Sequence, residues 1–311
     1  PERIAARMAE KLPFPVPQGS YIGSPHQNCI RKCHCSGGWD WGPTILVSGV
    51  YGEILLRGAD DFLFRSLNHR QKHLPGGCEL TAVLEIESEA DSRREIIFRF
   101  GNETKTMTVQ LEKGTIFAEC VFRVEKPDLW WPNGYGGQPL YGLSASCGLE
   151  FLSEQVGLRS LELITEKDPD GTGSSMTVRV NGVDVFCKGA SWIPVDALPE
   201  RWTPERYEML LDSAAAANMN MLRCWGGGIY EKEIFYDLCD RKGILVWQDL
   251  MFSCSQYPAT EDFLAEVESE LEFQYRRLRP HACIALWCGD NEVLGSLKWY
   301  PPCRENRDRY L

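Results

Sequence analysis

The chain has 311 residues, 43% of them hydrophobic and 25% charged, ordinary values for a globular protein of two or three domains that can bury a core. A formal net charge of −11 argues against nucleic acid or an anionic membrane surface as partner and favours a neutral or cationic small ligand. No apolar run approaches the length of a transmembrane helix. The opening PERIAARMAEKLPFPVP is charged, lacks a signal-peptide core and begins on Pro1, so the true N-terminus is expected to be missing. Of the 13 cysteines, Cys187, Cys224, Cys239, Cys283 and Cys288 fall inside apolar strand or helix patterns. They read as small buried hydrophobes in a reducing compartment, which favours the cytoplasm.

In chain order, residues 1–58 hold two local patterns. Cys29, Cys33, His34 and Cys35 invite a zinc reading, but their spacing is not C-x2-C and no second pair follows, so no metal is assigned. Gly38-Trp39-Asp40-Trp41-Gly42-Pro43 sets a carboxylate between two indoles in a loop pinned by glycine and proline. Such a loop can stack on a sugar and accept its hydroxyls, or it can simply pack two tryptophans. Residues 44–56 read as strands. Residues 59–165 change to short β-rich runs (80–86, 95–100, 106–111, 116–124 and 140–152) parted by turn residues, as in a β-sandwich.

From residue 166 onward strands and helices alternate. Val183 to Ala190 reads as a strand running into Ser191-Trp192-Ile193-Pro194. A helix follows from Thr203, a good N-cap with Pro204 behind it. Met221 to Cys224 is the next strand, then a helix over 231–241 that stops at Gly243. Ile244 to Trp247 is the third strand, and Phe263, Val267, Leu271, Tyr275 and Leu278 space the third helix. The fourth strand, Ile284 to Trp287, turns abruptly polar and ends in adjacent Asn291 and Glu292. Four such units, each strand finishing in polar or aromatic residues, fit half of a (β/α)8 barrel with chemistry at the strands' C-terminal ends. Gly226-Gly227-Gly228 is no phosphate loop, since no Gly-Lys-Ser/Thr follows. Asp168-Pro-Asp170-Gly-Thr-Gly173 reads as a turn rather than a calcium loop.

The motifs GWDWGP, KGASWIP, MLRCWGGGIYE, FYDLCDRKGILVWQDLMF and ALWCGDNE, in this order across nearly the whole chain, resemble the β-mannosidases of glycoside hydrolase family 2. The resemblance implies a multidomain β plus α/β fold: the end of a jelly-roll sugar-binding domain (1–58), an immunoglobulin-like β-sandwich (59–165) and the first half of a (β/α)8 TIM barrel (166–311). It implies retaining, cofactor-free removal of terminal β-mannose from oligosaccharides. Glu292 takes the general acid/base role, Asn291 the contact to the sugar 2-hydroxyl, and Trp225 and Asp40 the lining of the mannose site. Arg223 matches the arginine beside the nucleophile, and Trp299 is a subsite aromatic. Ser191 departs from the Asn or Asp usual before Trp-Ile-Pro, and Trp287 reads as barrel core rather than site.

Retention needs a second carboxylate about 5 Å from the first. In this family it is a glutamate on the seventh barrel strand, which matches nothing in this sequence. The expectation is therefore a fragment, inactive alone, whose nucleophile lies elsewhere. Three alternatives stay open: a sister activity (β-galactosidase, β-glucuronidase or exo-β-glucosaminidase), a non-catalytic carbohydrate-binding module, and a purely structural fragment. A lysosomal or secreted location and the oligomeric state are open as well.

Overall fold

The computed structural model describes residues 2–13, 15–19, 22–46, 49, 50, 52, 54–58, 61–305 and 307. The chain begins with helix α1 (Glu2–Lys11), then runs irregularly through two 3-10 turns, Gln27–Cys29 and His34–Gly37. The strands expected over 44–56 are absent among the described residues there; positions 47, 48, 51 and 53 of that expectation lie outside them. The expectation rested on β-formers such as Ile54 and Leu55. Strand preference is realised only against a pairing neighbour, and both side chains are exposed.

Seven strands follow: β1 (Phe62–Leu74), β2 (Gly77–Ser88), β3 (Ser92–Phe100), β4 (Glu103–Leu111), β5 (Gly114–Glu125), β6 (Tyr141–Cys147) and β7 (Glu150–Val156). They form two antiparallel sheets, ordered β1-β2-β5 and β4-β3-β6-β7. Alternate residues point inward, as the strand period of two demands. Leu80, Ala82, Leu84 and Ile86 of β2 thus meet Ile96, Phe98 and Phe100 of β3 in one core. Burying each large side chain there contributes roughly 1.5–3 kcal/mol. The single strand expected over 140–152 is instead a hairpin. Cys147 pairs with Glu150 across Gly148-Leu149, and Gly148 supplies the positive φ that a two-residue turn needs.

A small antiparallel sheet comes next, β8 (Leu161–Ile164), β9 (Thr177–Val180) and β10 (Val183–Val185). The expected domain boundary at 165/166 falls between β8 and β9, which pair directly. The strand expected over 183–190 is two elements. β10 ends at Val185, and β11 (Gly189–Trp192) joins a different sheet. A continuous apolar run cannot show where a chain changes partners.

The remainder alternates: α2 (Pro204–Ala216), β12 (Met221–Cys224), α3 (Glu233–Lys242), β13 (Leu245–Asp249), α4 (Glu261–Leu278), β14 (Ile284–Cys288), α5 (Val293–Trp299) and α6 (Pro301–Glu305). β11, β12, β13 and β14 are parallel and adjacent in chain order. Thr203 occupies the N-cap of α2 without a side-chain capping bond, and Pro204 pre-sets the first turn. Gly243 closes α3 in the left-handed region. A Cβ there would stand 2.6 Å from the Asn133 nitrogen, so only glycine fits. Trp287 packs with the residues between the sheet and its helices, its ring 5.9 Å from that of Tyr275, as a core residue does.

The other end of the parallel sheet is plugged. Met221 and Leu245, the first residues of β12 and β13, pack with Trp130, Val178, Val180 and Val185. Only the C-terminal ends of the strands are left for chemistry. A charged clasp secures the plugged end: His281 meets Asp240 through Nδ1 (2.8 Å) and Glu233 through Nε2 (3.1 Å). Burial alone would lower the imidazole's pKa, but the two carboxylates override it and raise it to about 10. A raised folded-state value means the clasp's stability is fully present below the unfolded histidine's pKa of about 6.5 and is lost as pH climbs through about 10. His281→Gln is expected to cost about 1.5–3 kcal/mol at pH 6. Urea unfolding at pH 6 and pH 10.5 checks this: the penalty should shrink at the higher pH, and an equal penalty at both refutes the ionic account.

Candidate active site

Arg223, on β12, donates from Nε and Nη2 to Asp249 at the end of β13, at 3.1 and 2.7 Å. Asp249 is fully buried and also accepts from Gly226 N–H (3.0 Å) and Trp247 Nε1 (2.9 Å). Burial pushes its carboxyl above the ordinary range, and the Arg223 guanidinium pulls the other way. With its second hydrogen bond from Nη2, Arg223 reaches Asn291 Oδ1 at 3.1 Å. The ends of three adjacent strands are thereby tied through one guanidinium.

Asn291 is buried and Glu292 exposed. Their backbone is held by the loop after β13: Asn291 N–H donates to Phe252 O and Cys254 N–H donates to Asn291 O, both at 2.9 Å. Glu292 sits at the N-cap of α5 with φ 60°, and the touching Cys254 has φ 49°. Two non-glycine residues in the left-handed region, each costing roughly 1–2 kcal/mol, persist because these cross-loop bonds fix them. Glu292 Oε2 accepts from Asn291 Nδ2 and from Cys254 Sγ, both at 3.3 Å. Asn291 Nδ2 also lies 3.3 Å from Ser253 Oγ and 3.2 Å from Cys254 Sγ.

The third wall comes from the N-terminal segment. Trp39 and Gly42 bond each other's backbone, so Asp40 and Trp41 form the tip of a tight turn. Trp39 is buried against Cys254 and Trp225, its ring 4.8 Å from Trp225 and edge-on. Trp41 lies 5.8 Å from Trp225 and is half exposed. Asp40 is exposed at the tip. Cys35 N–H donates to Gly227 O at 2.8 Å, which docks this segment on the glycine loop beyond β12. His34 is buried, stacked on Tyr257 and 3.2 Å from its hydroxyl through Nδ1. Burial, aided by the Arg31 charge, lowers its pKa to about 4 and keeps the ring neutral. The glycine triplet thus serves as a docking loop, and GWDWGP is a turn facing the sheet's C-terminal end.

Arg223, Trp225, Asn291, Glu292 and the Asp40 turn therefore surround one place. Trp299 does not join them among the described residues: it ends α5, half exposed, with its ring edge-on to Tyr300. Ser191 is exposed at the C-terminal end of β11. Three participants were missed from sequence. Asp249 follows the same rule that singled out Asn291 and Glu292, a polar residue at a parallel strand's end. Ser253 and Cys254 come from a loop with no motif of its own. The Cys/His cluster does not converge on a metal, since His34 turns to Tyr257 while Cys33 and Cys35 face each other. Asp240, His281 and Cys283 do cluster, but both nitrogens of His281 already donate to carboxylates.

A profile described as glycosyl hydrolase 2 galactose-binding domain-like matches residues 1–52. Beta-mannosidase B of Emericella nidulans is 38% identical over 291 residues, 88% of this chain and 33% of that protein. The crystal structure of a beta-D-mannosidase from Dictyoglomus thermophilum superposes with a TM-score of 0.89 at 37% identity, over 94% of this chain and 37% of that one. The chain is a homologue, over nearly its whole length, of the β-mannosidases of glycoside hydrolase family 2. Beta-mannosidase of Capra hircus is 35% identical over 96% of this chain and 36% of its own length. The chain spans about a third of the length of the curated relatives it matches.

Proposed function

We propose that this chain carries the acid/base half of a retaining exo-β-mannosidase that removes terminal non-reducing β-mannose from oligosaccharides. The observation that carries the proposal is the Arg223–Asn291–Glu292 chain of hydrogen bonds beside the Trp39-Asp40-Trp41 turn. Glu292 is the exposed carboxyl of the group, and it protonates the departing glycosidic oxygen. It then takes the proton of the water that frees the sugar. Asn291, oriented by Arg223, offers its amide to the 2-hydroxyl. Asp40 accepts hydroxyls of the terminal sugar, and Trp225 with Trp41 provides apolar faces for its C–H groups. Asp249 is saturated by four hydrogen bonds and holds Arg223, so it is not the nucleophile. That role goes to no residue described here. Trp299 is kept as an aromatic of a more distant subsite.

In this reading the sandwich is the immunoglobulin-like domain, the N-terminal segment belongs to a jelly roll, and the parallel sheet is the first half of a (β/α)8 barrel. No cofactor enters the chemistry. The buried thiols suit the cytoplasm.

The test is hydrolysis of an aryl β-mannoside beside the aryl β-galactoside, by a polypeptide of the relatives' length that contains this chain. Preference for the mannoside is expected, and preference for the galactoside refutes the reading. Asp40→Ala should lower kcat/KM on the mannoside by about 10–100-fold, the worth of a hydrogen bond to a charged group. An unchanged kcat/KM would remove Asp40 from the site.

A further inference from the structure

Cys33 and Cys35 flank His34 at the entrance to the turn that carries Asp40. Their sulfurs are 3.5 Å apart, in hydrogen-bond contact, and both side chains are only partly buried. They line a cavity of about 570 Å³ together with Trp41, Ile193, Trp202 and Tyr230, so a small solute can reach them. Cys224, Cys239 and Cys283, by contrast, are buried, and burial pushes their thiols well up and keeps them unreactive. The hydrogen bond from Cys35 pulls the Cys33 thiol below its ordinary range, against burial and with help from Ser36 N–H. The same bond raises Cys35. Of the two sulfurs, Cys33 is thus the one that gives up its proton more readily and Cys35 the one that keeps it, the division of labour of an attacking and a resolving cysteine.

We propose that Cys33 and Cys35 form a reversible dithiol–disulfide couple, closed by a hydroperoxide-class oxidant. The Cys33 thiolate attacks one peroxide oxygen, the O–O bond breaks, and the departing hydroxide takes a proton to become water. Cys33 is left as the sulfenic acid. The Cys35 sulfur then attacks the Cys33 sulfur, the S–O bond breaks, and the released hydroxide leaves as water with the Cys35 proton. Two thiols lose two electrons, and one peroxide yields two waters or, from an alkyl peroxide, one water and an alcohol. A dithiol reductant reverses the closure by thiol–disulfide exchange. To bond, the sulfurs close to about 2.05 Å, drawing in the segment just ahead of Trp39.

The experiment treats the folded chain with hydrogen peroxide, blocks free thiols with iodoacetamide and digests with trypsin. Peptide 33–57 follows Lys32, ends at Arg57 and contains no other cysteine. It is expected to lose two hydrogens and both labels, and to regain both labels after dithiothreitol. In Cys35→Ser the sulfenic acid on Cys33 should persist and be trapped by dimedone. If peptide 33–57 keeps both labels at peroxide levels that oxidise other cysteines, or if Cys33 bonds a cysteine outside the peptide, the proposal is overturned. These readouts need no glycosidase activity, so the result stands apart from the assignment of function.

Discussion

Replacing Glu292 by glutamine is expected to lower kcat/KM for an unactivated β-mannoside by about 10²–10⁴-fold, the usual worth of a positioned general acid/base. Glutamine keeps the shape and still accepts from Asn291 and Cys254 at Oε1, so the left-handed turn at φ 60° need not change. What disappears is the exchangeable proton. The loss should therefore depend on the leaving group. An aryl mannoside whose phenol leaves without protonation should show nearly normal cleavage of its first bond, with a slow second step. Added azide, which needs no general base, should restore turnover of that activated substrate. A loss of equal size on activated and unactivated substrates, without rescue, would mean that Glu292 matters to folding rather than to proton transfer.

The second large effect is expected at Asp249. Its carboxylate is fully buried and holds both donors of Arg223 together with Trp247 and Gly226. Asp249→Ala removes the acceptor of four hydrogen bonds and leaves the Arg223 guanidinium its one bond to Asn291 Oδ1. Breaking one side of a buried ion pair costs about 3–5 kcal/mol. Asp249→Asn restores volume and one acceptor but points an amide N–H at donors, so it should recover only part of the loss. Urea unfolding measures both variants. An alanine variant within about 1 kcal/mol of the parent would show that water or a neighbour takes over the pair. Because Arg223 also bonds Asn291, turnover should fall in both variants even where the protein stays folded.

How much of this could be read in advance depended on range. Three of the four parallel strands, β12, β13 and β14, were legible because each is a short apolar run ending in a polar or aromatic residue, and α3 because Gly243 must end it. Asn291 and Glu292 stood out as strand-end residues, whereas Arg223 was named through the resemblance alone. Other features are set by partners far along the chain. Cys254 meets Glu292 across 38 positions, and nothing around Ser253-Cys254 marks it locally. The split between β10 and β11, and the absence of strands at the described residues among 44–56, depend on which strand lies alongside. Composition does not record that. Trp299, a candidate through the resemblance alone, lies with its ring edge-on to Tyr300.

The seams between the parts bear on how such a protein can be recombined. The N-terminal segment is joined to the strand-end loops side chain to side chain, Arg31 to Glu270 and His34 to Tyr257, and by Asn28 to the Gln256 carbonyl. The sandwich side is joined at the far end, largely to main-chain carbonyls. Trp130 bonds Asp240 O, Asn133 bonds Ala215 O and Met219 O, and Arg159 bonds Ala282 O and Ile284 O. A carbonyl is the same acceptor whatever residue carries it, so the sandwich can drift while those three donors and the pairs Glu85–Arg276 and Asn68–Arg279 are kept. The segment bearing Asp40 has no such freedom. In a chimera it would have to travel with the loops at 226–228 and 253–257, as one unit with the ends of the parallel strands rather than as an exchangeable module.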